Sequence, residues 1–172
     1  MTTPSNPYQA PTSDISNVPG FDGEDQSSPF SPSGRFGRLS YIAWGMLLSF
    51  AFGVIAFVIA GGAAIFSDPT AMASPIAIVL QVISVVPAII FAIRRLHDFN
   101  ASGWWSAVMI VPVANAILVL VLLFKGGNDG PNRFGPPRVT RGWEKVLGYI
   151  AIVLGVIGLI ALAGILMKAA TA

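Results

Sequence analysis

Arg94-Arg95-Leu96-His97-Asp98 ends one apolar run, and Ser102-Gly103-Trp104-Trp105 opens the next. Two guanidiniums, an imidazole and a carboxylate within five residues could hold a phosphate, move a proton or pair with one another. Spacing narrows the choice. If the run continues as helix, Arg94 and Asp98 are i, i+4 neighbours and Arg95 and Asp98 are i, i+3 neighbours, pairs worth roughly 0.2–0.5 kcal/mol on an exposed face. His97 and Asp98 then point about 100° apart, which makes them a poor acid–base dyad. His97 is the only histidine and the chain has no cysteine. Disulfides, thiol catalysis and cysteine metal sites are thereby excluded, and too few ligands remain for a zinc site. No metal and no cofactor is expected.

Two further polar clusters flank this one. Gly34-Arg35-Phe36-Gly37-Arg38 precedes Tyr41 and Trp44, and a glycine-rich stretch from Gly126 to Pro137 carries Asp129, Asn132 and Arg133. The stretch lacks the Gly-x4-Gly-Lys-Ser/Thr spacing of a phosphate loop. It reads as tight turns, and its two side-chain oxygens fall well short of the six to eight that calcium takes.

The elements that must position these groups are apolar. Charged residues make up 10% of the 172, against about 25% in a soluble domain. Four uncharged runs, Leu39–Ser67, Pro69–Ile93, Phe99–Phe124 and Val146–Met167, each exceed the roughly 20 residues that cross a hydrocarbon core. The expected fold is an all-α integral membrane protein, a small bundle of four apolar helical segments at about 41–66, 75–93, 104–124 and 146–167. Residues 1–33 hold six prolines, four acids and no base, a composition that does not offset ordering entropy. They are expected to form a disordered acidic tail, in which Asn6–Pro11 is either a docking motif or, as favoured, an Asn-Pro turn.

Within the segments, Gly45, Ser49 and Gly53 share one helix face, as do Gly148, Ala151, Gly155 and Gly158, and both stripes suit close helix packing. Tyr41, Trp44, Trp104, Trp105 and Trp143 stand near segment ends, where aromatic groups anchor at the membrane interface. Pro87 interrupts segment two, while Pro112 and Asn115 interrupt segment three. Ser102 is placed to cap the start of segment three.

Basic residues bear on orientation, because cytoplasmic loops are rich in Lys and Arg. With four crossings and the N-terminus inside, Arg35, Arg38, Arg94, Arg95 and Lys168 face Lys125, Arg133, Arg138, Arg141 and Lys145 across the membrane, a tie. If segment three instead turns at Pro112–Asn115 and re-enters, nine bases lie inside and Lys168 alone lies outside. Both arrangements keep the N-terminus cytoplasmic.

Taken in order, Gly34-Arg35 with Arg38 and Tyr41, then RRLHD with SGWW, then NRFGP resemble the bacterial inner-membrane family known as domain of unknown function 805. The resemblance spans about Gly34 to Pro137. Ile42 stands where that family commonly has an aromatic residue, and Asn115 where glycine is usual. The resemblance implies residence in the inner (plasma) membrane and a multi-pass architecture, and it assigns no activity. The chain therefore divides into a cytoplasmic tail (1–33), a membrane domain (34–137) and an additional C-terminal transmembrane helix (138–172).

The expected role is non-enzymatic. Arg35, Arg38, Arg94, Arg95, His97, Asp98 and Arg133 are candidates to meet anionic lipid headgroups or a membrane partner through a basic cytoplasmic face. That partner would be another copy of this chain or a different membrane protein; nucleic acid is not expected. A small-solute channel or carrier, resting on Gln81, Ser84, Asn115 and the proline breaks, is the alternative. A lipid-headgroup enzyme using His97 and Asp98 ranks below it.

Overall fold

The structure, a computed structural model, describes residues 24–59 and 75–171. Helix α1 spans Arg38–Ile59, α2 spans Pro75–Asp98, α3 spans Pro112–Phe124 and α4 spans Gly142–Thr171. A 3-10 helix, Gly103–Ile110, precedes α3, and the described residues contain no strand. Of these, α1, α2 and α4 are long and apolar enough to cross a membrane. Residues 60–66 of the first expected segment, Asp68, and the Asn6–Pro11 motif lie outside the described residues.

Proline places the start of α3. Pro112 opens it, where the missing N–H is one the helix cannot use and the ring presets φ. Pro87 lies inside α2, which continues through it to Asp98, five residues beyond the expected end of segment two.

Segment three is divided where its sequence is interrupted. Ser102 has an extended backbone and its hydroxyl accepts from the Trp104 N–H at 3.4 Å, the capping role expected of it. The 3-10 helix ends at Val111, also extended (φ −95°, ψ 114°), as the residue before a proline prefers. Asn115 lies past this break in the first turn of α3, its backbone N–H donating to the Val111 carbonyl at 2.7 Å. At 2.0 Å and 1.5 Å per residue the two pieces measure roughly 16 and 20 Å, each short of a hydrocarbon core of about 30 Å. The excursion closes on its origin: the Asn128 N–H donates to the Asp98 carbonyl at 2.8 Å.

Burial is concentrated at the end of the molecule where α2 stops and α1 and α4 begin. Ala92, Leu96, Leu118 and Leu122 form the apolar core, with Tyr41, Phe99 and Val108 packed around it. Beside it, Phe30, Phe36, Trp44, Phe91 and Trp143 form a chain of ring contacts with centroids 5.3–6.0 Å apart. Beyond this end the helix faces are exposed and apolar, as lipid-facing surfaces are.

Phe30 belongs to a stretch expected as tail. Residues 24–33 instead fold back over the end of α2, because Asp25 and the carbonyls of Ser28, Ser31 and Ser33 accept hydrogen bonds from a buried arginine. Residues 1–23 lie outside the described residues.

Candidate functional site: a buried arginine cluster

Every arginine of the first two motifs except Arg38 is fully buried. Arg35, Arg94 and Arg95 each have 0% exposure, and the hydrogen bonds of each guanidinium go to the chain itself. Arg35 donates to the Asp98 carboxylate at 3.1 Å and to the Asp98 carbonyl at 3.2 Å. It also reaches the carbonyls of Asn128, Gly130 (2.7 Å) and Gly135 (3.3 Å), so one side chain gathers the turns of the glycine-rich stretch. Arg95 pairs with the other Asp98 oxygen. It donates also to the carbonyls of Leu122 (2.8 Å) and Lys125, which the last turn of α3 leaves without helical partners. Thus the i, i+3 pair expected from the sequence forms, but buried, and shared with a third residue from another motif.

The expected i, i+4 partner of Asp98 goes elsewhere. Arg94 pairs with Asp25 at 2.9 Å and donates to Ser27 Oγ at 2.8 Å, with its guanidinium 4.4 Å from the centre of the Phe36 ring. Arg138 pairs with Glu144 at 3.0 Å and lies 5.3 Å from the same ring. Phe36 therefore meets two arginines, a favourable use of its π-face. Burying four ion pairs costs desolvation, which is offset only where the remaining donors are also satisfied; backbone carbonyls accept from Arg35 and Arg95, while the buried Nε of Arg94 and of Arg138 finds no acceptor.

Glu144 was not among the candidate residues, yet it anchors the fourth helix. With 0% exposure, it accepts from Ser40 Oγ (2.7 Å), Trp44 Nε1 (2.9 Å), Arg138 (3.0 Å) and the Arg141 N–H (3.2 Å). The last contact is the return half of a capping box. The signal was present as a lone acid three residues after Arg141, just ahead of an apolar run. Asp25 was missed as well, hidden in an acidic stretch with no periodicity.

His97 stacks on Phe134, centroids 3.7 Å apart and planes 7° from parallel, and Nδ1 is 3.3 Å from the Gly34 carbonyl. Phe134 comes from the NRFGP motif, so the second and third motifs meet here. His97 borders a cavity of about 450 Å³ with Ile93, Ser102, Trp104 and Ser106. Both Asp98 oxygens are occupied by arginines. Among the described residues no group of three or more His, Cys, Asp or Glu could hold a metal ion.

The other candidates scatter. Arg133 donates to the Asn100 carbonyl at 3.1 Å and lies over Phe134, not at Asp98. Arg38 is exposed. Trp104 and Trp105 are largely exposed, whereas Tyr41 is half-buried at the core and Trp44 is tied to Glu144. Trp143 packs edge-on against Trp44. Of the small-residue positions, Gly148 makes the close approach: a methyl there would lie 3.1 Å from Leu39 Cδ2 and 3.2 Å from its carbonyl oxygen. Nothing lies within 4 Å of a methyl placed at Gly45, Gly53, Gly155 or Gly158. Ser49 is exposed and Ala151 is half-buried.

These features define a small helical membrane protein whose three polar motifs form a single buried clasp. The chain belongs to the family described as "Protein of unknown function (DUF805)", whose model matches residues 29–136. It is 40% identical over 43 residues to the inner membrane protein YhaH of Escherichia coli K12, covering 25% of this chain and 36% of the relative. To the inner membrane protein YhaI of the same organism it is 40% identical over 50 residues, 29% of this chain and 42% of the relative. The matched part thus spans about two fifths of these curated relatives. No solved structure matches the chain.

Proposed function

We propose that the chain is a non-enzymatic, multi-pass protein of the bacterial inner membrane that holds anionic lipid headgroups at a basic cytoplasmic face. The observation that carries this reading is a division among the bases. Arg35, Arg94, Arg95 and Arg138 are consumed inside the clasp. Arg38, Lys125, Arg133, Arg141 and Lys145 are exposed at the same end, and no carboxylate pairs with them among the described residues. Each such base near an anionic surface is worth about 1 kcal/mol of attraction.

In this reading residues 103–124 enter the membrane and return. The bond between Asn128 and Asp98 supports it, as does the charge distribution, with nine of the ten bases on one side. The N-terminus is then cytoplasmic. The backbone break at Val111 is tolerated at membrane depth only where protein shields it, and the packing of α3 against α1 and α2 supplies shielding on one side.

Single cysteines at Ser67, Ser102, Asn128 and Ala169 in this cysteine-free chain, labelled in intact cells with an impermeant reagent, test the topology. The expected pattern is labelling at 67 and 169 with protection at 102 and 128; labelling at 128 from outside would refute re-entry. For the lipid function, the measurement is enrichment of phosphatidylglycerol over phosphatidylcholine around the reconstituted protein. Loss of enrichment is expected when Arg133, Arg141 and Lys145 become Gln, and enrichment that is absent in the wild type would overturn the reading.

A further inference from the structure

A groove of about 570 Å³ runs between α1, α3 and α4, with Arg38 at its mouth and Ile42, Leu123, Ile152, Gly155 and Leu159 along its walls. We infer that this groove is a specific seat for one anionic phospholipid, its phosphate against Arg38 and one acyl chain laid along α4. The inference rests on the proposed basic face and deepens it, assigning one of the five exposed bases a defined site.

Charge selects the occupant. Arg35 and Arg95 share the single carboxylate of Asp98, so that part of the clasp keeps an excess positive charge. Arg38 adds a further charge near Arg95 and has no acceptor of its own among the described residues. An anion at the mouth of the groove relieves both. A neutral apolar segment, such as a helix of a second copy, leaves the excess in place.

Dimensions fit the same occupant. Leu39 packs against Gly148 at the level of Arg38, and the groove extends from there to Leu159. Eleven residues of helix rise roughly 16 Å, about the depth of one leaflet of a 30 Å hydrocarbon core. Gly155 sets the clearance midway, since nothing lies within 4 Å of where its side chain would begin. The small residues of α4 beyond Gly148 thus open a channel for a chain and do not seat a helix of this molecule.

The test is lipid retention by the full chain, reconstituted in an equimolar mixture of palmitoyl-oleoyl phosphatidylglycerol and phosphatidylcholine, extracted in mild detergent and read by native mass spectrometry. The wild type is expected to retain one phosphatidylglycerol. Arg38→Gln should lower its preference over phosphatidylcholine about fivefold, the equivalent of about 1 kcal/mol. Gly155→Leu, which fills the groove while improving helix propensity, should abolish retention of either lipid at this site. Lys168→Gln, in the last turn of α4 and outside the basic face, should leave the retained lipid unchanged. If Gly155→Leu retains lipid as the wild type does, the groove is not the seat. If retention then falls when Arg133 and Arg141 are neutralised instead, the groove fails while the basic face stands. A wild type with no preference for phosphatidylglycerol overturns both. If Gly155→Leu changes the oligomeric mass without changing bound lipid, the groove receives a second copy and the inference is refuted.

Discussion

Arg35 and Asp98, sixty-three residues apart, are joined through two groups: the Asp98 carboxylate, which accepts at 3.1 and 3.3 Å, and its backbone carbonyl, which accepts at 3.2 Å. The first contact neutralises charge and the second fixes where α2 ends. Because Arg95 takes the other carboxylate oxygen, Asp98→Ala leaves two buried guanidiniums without a counter-charge. Breaking a buried pair by removing one partner costs about 3–5 kcal/mol. The expected result is a large fall in the thermal midpoint of the detergent-solubilised protein, followed by circular dichroism. A midpoint within a degree or two of wild type would show that the clasp does not hold the fold.

Gly127 faces the same carboxylate. A methyl at that position would run into the Asp98 side chain, and Asp98 is pinned by two arginines and cannot swing aside freely. Gly127→Ala is therefore expected to destabilise by about 1–3 kcal/mol, the range for overpacking. Gly126→Ala and Gly130→Ala, with open space around them, should be nearly neutral. In the Asp98→Ala background the cost of Gly127→Ala should largely vanish, and a double-mutant cycle reads that coupling directly. Additive effects would mean that the steric conflict lies elsewhere.

Local features of this fold were legible in the sequence because local rules govern them. The break at Pro112, the cap at Ser102 and the Arg95–Asp98 pair follow from residue type and short spacing. The destinations of Arg94 and Arg35 were not legible, since their partners stand 69 and 63 residues away in stretches with no helical or strand period. Composition misled at residues 24–33: proline and serine signal weak apolar burial, but there three serine carbonyls and the Ser27 hydroxyl serve as acceptors for a guanidinium. At Gly155 and Gly158 no neighbour from the described residues fills the stripe, because small residues mark where a close neighbour fits and not whether this chain supplies one. The stacking of His97 on Phe134 was not legible either, since the two stand in separate motifs.

Glu144 ties α4 to α1, so its removal should loosen the fourth helix before the rest. Glu144→Ala strips acceptors from Ser40 and Trp44 and leaves Arg138 buried and unpaired, at a cost of about 3–5 kcal/mol. Trp44 and Trp143, in edge contact at 5.3 Å, report the event through a red shift in tryptophan emission. Glu144→Gln keeps an acceptor for Ser40 and Trp44 and should cost less. Equal losses for the two variants would show that charge against Arg138, and not the hydrogen-bond set, is what matters.

Asp25 makes the hold of residues 24–33 on α2 sensitive to acid. Burial pushes its carboxyl up, but the Ser27 side chain, the backbone N–H groups of Arg35 and Ser27, and the Arg94 charge together outweigh that and bring it below the ordinary carboxylate range. A carboxyl with a depressed folded pKa binds protons more weakly than it does unfolded. Its stabilisation is therefore complete above the unfolded value of about 3.9 and is lost as pH falls toward the folded value. A spin label at Ser28→Cys, an exposed position on that stretch, should stay immobilised at neutral pH and gain mobility only as pH falls below the ordinary carboxylate value of about 3.9. In the Asp25→Asn variant the same label should be mobile at neutral pH and little changed by acid. A wild-type label that is equally mobile at pH 7 and pH 2 would show that the Asp25–Arg94 pair does not fasten the stretch.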